Sequence, residues 1–139
     1  MLYKNTGKEI VVRLDDGEEI IESLKVICKN EGVESALVTG IGAARKAEIG
    51  HWNSKAKKYN NRKFDGTLEI VSLSGNVATV NNEPVVHLHI ALGTSDFFVR
   101  GGHLINAEVY PTCEILLLPI NTKTTREKNE KIGLNLQKF

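Results

Sequence analysis

The chain has 139 residues, 41% of them hydrophobic and 25% charged, the make-up of a soluble globular protein with length for one domain, residues 1–139. Its 18 lysines and arginines against 17 acidic residues leave a formal charge of +1, so no global electrostatic footprint favours a polyanion. No apolar run approaches a membrane span, and the opening Met-Leu-Tyr-Lys-Asn-Thr-Gly-Lys-Glu carries no apolar signal core, which points to the cytoplasm.

Glu9 to Leu14 reads as a first strand, followed by Asp15-Asp16-Gly17 and a helix with apolar positions at Ile20, Ile21, Leu24, Ile27 and Cys28. Asp16, with Glu19 three residues on, resembles a capping box, and Gly32 fits the C-terminal cap. The amphipathic helix is expected to cover one sheet face. Val33 to Thr39 reads as a strand leading into Gly40-Ile41-Gly42-Ala43-Ala44. That stretch lacks the third glycine of a dinucleotide fingerprint, where Arg45 stands, so it reads as a turn between strands and not as a phosphate cradle. Cys28 and Cys113 have no motif around them and are expected to be reduced and packed.

Lys55, Lys57, Lys58, Arg62 and Lys63, interleaved with Trp52, Tyr59 and Phe64, form one basic cluster. Aromatic interleaving would suit a nucleic-acid surface. Asn60-Asn61 and Asp65-Gly66 are turn chemistry, however, and a solvated hairpin is the simpler account. Thr67 to Leu73 is a further strand, with Glu69 on the face of Val71 and Leu73. Ser74-Gly75-Asn76 and Asn81-Asn82-Glu83 read as turns on either side of a strand through Val80.

Three of the four histidines fall between Pro84 and His103. Val85, Val86, Leu88, Ile90 and Leu92 make a strand behind Pro84, so His87 and His89 share one face with Cα atoms roughly 6–7 Å apart. The loop Gly93-Thr-Ser-Asp96 turns the chain, and a return centred near Asp96 sets His103 across from His89. Three imidazoles on one hairpin suit a metal, with nitrogen ligands at about 2.0–2.1 Å. Buried singly without a shared partner, they would leave donors or acceptors unpaired at about 1–3 kcal/mol each. Zinc is preferred because imidazole ligands suit it, with nickel, copper, cobalt and iron as alternatives. Glu69, a carboxylate on an apolar strand face, is either an ion-pair partner or a fourth ligand, outer-shell acceptor or general base of that site. Leu104 to Val109 and Thr112 to Pro119 read as strands separated by Tyr110-Pro111. A short helix is expected after Thr124 or Thr125 and before Gly133, with Leu134, Leu136 and Phe139 docking the end of the chain.

Taken together, Gly40-Ile-Gly-Ala43, Gly66-Thr-Leu-Glu-Ile-Val-Ser-Leu-Ser-Gly75, His87-Leu-His89, Gly101-Gly-His-Leu104 and Glu114-Ile-Leu resemble the PPC domain, the plant and prokaryote conserved domain carried by plant AT-hook proteins. The resemblance runs over roughly residues 12–120. It implies an α/β fold of the α+β type, with a mostly antiparallel sheet, one main covering helix and the short C-terminal helix. It also implies a homotrimer and a metal site on His87, His89 and His103. The Arg-Gly-Arg-Pro hook through which the plant proteins bind DNA does not occur in this sequence. The sheet and the His-x-His pattern are also similar to those of α-acetolactate decarboxylase, a zinc enzyme. The leading expectation is a zinc-binding homotrimer. A DNA-associated regulatory or partner-binding module and a metal-dependent enzyme on a small carbonyl or carboxylate substrate stand as alternatives.

Overall fold

A computed structural model describes residues 1–138. Along the chain run β1 (Leu2–Asn5), β2 (Ile10–Asp15), α1 (Ile20–Glu31), β3 (Ala36–Asn53), β4 (Lys58–Val80), β5 (Glu83–Gly93), β6 (Val99–Pro119), β7 (Thr125–Asn129) and β8 (Leu134–Lys138). The sheet is mostly antiparallel, in the order β1-β2-β6-β3-β4-β7-β8. Strand β3 lies between β4 and β6, and β5 also pairs with both, so these four strands form a closed ring of hydrogen-bonded neighbours. Among the described residues the exception to antiparallel pairing is the contact Thr79↔Thr125 between β4 and β7.

Alternation fixes the core. Ile10, Val12 and Leu14 of β2, Val86, Leu88, Ile90 and Leu92 of β5, and Ile115 and Leu117 of β6 are buried at every second position. They meet Ile20, Leu24, Ile27 and Cys28, the buried stripe of α1, which packs against β5 and β6. Cys28 and Cys113 are unpaired and buried, and burial pushes their thiols up to about 11 and about 12. Both are therefore inert core groups.

The helix starts three residues later than the capping-box reading. Asp16 is engaged by the Arg45 guanidinium, and the N-cap is Glu19, whose carboxylate accepts from the Glu22 backbone N–H at 2.7 Å. Gly32 closes the other end at φ 65°, a left-handed conformation that glycine adopts without a Cβ clash.

Four expected breaks are absent, because the long strands run through them. Gly40–Ala44 is a stretch of β3 with register shifts at Gly40/Gly42 and Ala44/Lys46, so the glycines mark bulges and not a turn. Asp65-Gly66 and Ser74-Gly75-Asn76 lie inside β4, and Tyr110-Pro111 lies inside β6 with a cis peptide bond. Gly75 is there for close approach. A Cβ at that position would sit 2.0 Å from the His87 carbonyl oxygen and 2.9 Å from the Leu88 Cα. The basic hairpin exists, but it turns between Asn53 and Lys58 and not at Asn60-Asn61.

The expected C-terminal helix is the hairpin β7–β8, with Thr125 opposite Lys138 and Asn129 opposite Leu134. Its root explains why. Thr124 is buried, its hydroxyl is 2.9 Å from that of Ser35, its N–H donates to Ser35 Oγ at 2.8 Å, and its carbonyl accepts from Thr79 N at 2.9 Å. Those bonds set the chain down beside β4 in extended form, where strand pairing outweighs a marginal short helix. Leu134 is half-buried and Leu136 exposed, while Phe139 lies outside the described residues.

A histidine cluster on the outer face

Because Val86, Leu88, Ile90 and Leu92 point into the core, the residues between them point out, and His87 and His89 leave β5 on the face opposite α1's contacts. A tight turn delivers the third ring. Thr94 N donates to the Phe98 carbonyl at 3.0 Å and Phe97 N to the Thr94 carbonyl at 2.8 Å, while the Asp96 carboxylate accepts from Phe98 N at 3.3 Å and from the Thr94 hydroxyl. Around this turn His89 and His103 are directly paired. The sequence expectation for the register holds.

The three imidazoles offer nitrogen atoms that all lie within 4.8 Å of one another. Ring centroids are 5.0 Å apart for His87 and His103, 5.5 Å for His87 and His89, and 5.7 Å for His89 and His103. Ligands on a tetrahedral ion at about 2.0–2.1 Å stand about 3.4 Å from each other, so small side-chain rotations would close the set. His87 and His103 are half-buried and His89 is exposed, which gives the centre one open side. His103 Nδ1 is buried without a hydrogen-bond partner among the described residues. Such an orphaned nitrogen costs stability unless something with a vacant orbital or a proton meets it, and a metal ion does so.

Glu69 is not gathered with the histidines. It pairs with Gly93, four residues along β5 from His89, which is about 13 Å at the usual rise per residue. The register shift between Ile70 and Ser72 buries Leu68, Ile70 and Leu73 and leaves Glu69 and Val71 exposed, so the carboxylate is not on an apolar buried face.

Three neighbours escaped the sequence reading. Tyr59 of β4 stacks on His103 at 4.8 Å between centroids and 19° between planes, with Trp52 edge-on to Tyr59 at 5.1 Å. Arg126 of β7 places Nη2 2.8 Å from His87 Nδ1 and 2.7 Å from Asn76 Oδ1, and its Nη1 donates to the Asn135 carbonyl at 3.2 Å. Arginine only donates, so His87 Nδ1 is the acceptor and the ring proton is on Nε2. Nothing local in the sequence marks Arg126; the buried Ser35–Thr124 contact that positions it spans 89 residues.

Burial, then Arg126, then the other two rings push His87 down from 6.5 to about 4, and burial followed by His89 and Arg126 also lowers His103. The folded chain thus binds fewer protons here than the unfolded one. Metal-free protein should lose stability as pH falls from about 6.5 to about 4, with no further loss from this group below that. Denaturant melts at pH 7 and pH 4.5 check this, read as the difference between wild type and His87→Gln; equal slopes in both proteins would refute it.

Comparison with known proteins places the chain. The family profile described as the Plants and Prokaryotes Conserved (PCC) domain matches residues 1–121. A solved structure of a metal-containing protein from Archaeoglobus fulgidus is 35% identical, with a TM-score of 0.88 over 98% of this chain and 97% of that one. A plant- and prokaryote-conserved (PPC) protein from Pyrococcus horikoshii is 33% identical, with a TM-score of 0.88 over 99% and 95% of the two chains. A protein from Bacteroides thetaiotaomicron described as a candidate DNA-binding protein is 32% identical, with a TM-score of 0.95 over 99% and 96%. No curated protein matches the sequence.

Proposed function

The chain belongs to the Plants and Prokaryotes Conserved domain family, and from that premise we propose that it is a metal-binding protein that holds a divalent transition ion, zinc in first place, on His87, His89 and His103. The observation that carries this reading is the convergence of three imidazole nitrogens within 4.8 Å, with no cysteine or carboxylate joining them among the described residues. Neutral nitrogen ligands of this kind suit zinc, and three of them leave a coordination position open. The metal-containing relative from Archaeoglobus fulgidus supports the same reading. When bound, the ion would supply a Lewis-acidic site; the chain's own part is to orient the rings, with Tyr59 holding the plane of His103 and the β5–β6 register holding His89 against it. Glu69 stands outside this ligand set. Elemental analysis of protein purified without an affinity tag tests the proposal: about one transition-metal ion per chain is expected, and a metal-free preparation that takes up none on addition of zinc would end it.

The working unit we propose is a cytoplasmic homotrimer. No helix among the described residues is long and apolar enough to cross a membrane. Leu37, Ile41 and Val71 on β3 and β4 are 48%, 60% and 54% exposed, apolar area that a second and third copy would cover. Light scattering at micromolar concentration should give the trimer mass, and a monomer mass there would refute it.

A DNA-associated role is supported less. In the basic hairpin Lys57 donates to the Glu130 carbonyl at 3.0 Å, Lys63 approaches Glu48 at 4.0 Å and Arg62 lies over Phe64 at 5.4 Å, so part of the cluster is occupied by the protein itself.

A further inference from the structure

Arg126 holds more donors than its neighbours accept, and with a metal bound as proposed above the imbalance grows. The guanidinium has five N–H groups. One goes to the Asn135 carbonyl, one to Asn76 Oδ1 and one to His87 Nδ1, while Nε is buried with no partner among the described residues. Now let a metal take His87. If Nδ1 coordinates, its lone pair is used. If Nε2 coordinates, that nitrogen gives up its proton and the neutral ring carries it on Nδ1 instead. In either case Nδ1 stops accepting, and Arg126 loses that bond. Three donors are then open, at Nε, at Nη2 and at the second Nη1 hydrogen, and Nε and Nη2 share one edge, from which both can donate to a single carboxylate oxygen.

Charge points the same way. A divalent ion held by three neutral imidazoles, beside a guanidinium, is a concentrated positive region, and no acidic side chain joins the cluster among the described residues. Half-buried like charges of this sort repel unless an anion lies between them.

We propose that Arg126 and the metal together form a binding site for a small carboxylate, which places one oxygen on the open metal position and faces the Nε–Nη2 edge of Arg126 with the other. Asn76 and Asn135 keep the guanidinium aimed. Arg126 is a ligand-binding residue in the loaded protein and rests on His87 in the empty one.

The test uses the full chain loaded with cobalt(II), whose visible absorption reports its coordination, titrated with acetate at constant ionic strength against chloride as control. Wild type should show a saturable spectral change with acetate that chloride does not reproduce. Arg126→Lys keeps a charge without the fork and Arg126→Gln removes both; each should still bind cobalt, Arg126→Gln at least as tightly as wild type because no guanidinium competes for His87, and each should bind acetate about 10- to 100-fold more weakly, the loss of a charge-assisted bond or two. Cobalt-loaded wild type that ignores acetate, or variants with unchanged acetate affinity, would overturn the carboxylate site and leave the metal reading standing. Failure of wild type to bind cobalt at all would overturn both.

Discussion

Protein carrying His87→Ala and His89→Ala together should come off a tag-free purification with essentially no transition metal, against about one ion per chain for wild type. The expected effect is large because the one proposed ligand that remains, His103, is a single imidazole, whereas complete structural sites are worth about 10–16 kcal/mol of apparent binding free energy at neutral pH. Folding should survive. His89 is exposed and His87 half-buried on the face away from Val86, Leu88 and Ile90, so the core alternation of β5 is untouched. His87→Ala also strands the guanidinium that donates to it at 2.8 Å, a loss Asn76 partly offsets. Elemental analysis with a denaturant melt on the same sample separates loss of metal from loss of fold. An unchanged metal content in the folded double variant would remove these two histidines from the site.

Gly75→Ala carries the second large effect, and it joins the fold to the site. A methyl group there would lie 2.0 Å from the His87 carbonyl oxygen, against backbone and not the far end of a flexible side chain. Strand β5 has to move, and the part that moves first is His87 itself. Overpacking of this kind costs about 1–3 kcal/mol, and the backbone contact puts this position at the upper end. Zinc affinity should fall with stability, because the displaced residue is one of the three proposed ligands. Denaturant melts and zinc titrations of the metal-free proteins give the two numbers. A variant within about 0.5 kcal/mol of wild type, the range of an ordinary surface change, would show that β4 and β5 do not need the close approach.

How much of this was visible in the sequence differs from element to element. The amphipathic helix and its glycine cap follow from periodicity and from the freedom of Gly32 at positive φ, and the His89–His103 register follows from counting outward from Asp96. These are local signals, each decided within a few residues. The misread turns share a different cause. Glycine and proline signal either a reversal or a place where a strand must bulge or let another backbone close in, and only the partner strand distinguishes the two. For Gly75 that partner is β5, and for Gly40–Gly42 it is β6 as well as β4. One bulge separates Glu69 from the buried face of Leu73, since a single register shift reverses which face a side chain takes. Arg126 has no local signal, because its neighbour His87 is 39 residues away and its segment reads as a helix from the sequence.

The closed ring of strands has a further consequence, for the order in which the chain can assemble. The histidine hairpin is local: His89 and His103 meet across one short turn, and a hairpin forms in about 1–10 μs. The pairing of β2 with β6 is not, since Ile10 must find Leu117 and Asp15 must find Thr112, and the Ser35–Thr124 contact bridges 89 residues. Contacts of such separation repay their loop entropy late and make β-rich chains fold in milliseconds to seconds. The three imidazoles can therefore converge while the N-terminal strands and the Arg126 arm are still unplaced. An ion present during synthesis would meet the proposed ligands before it meets the finished protein.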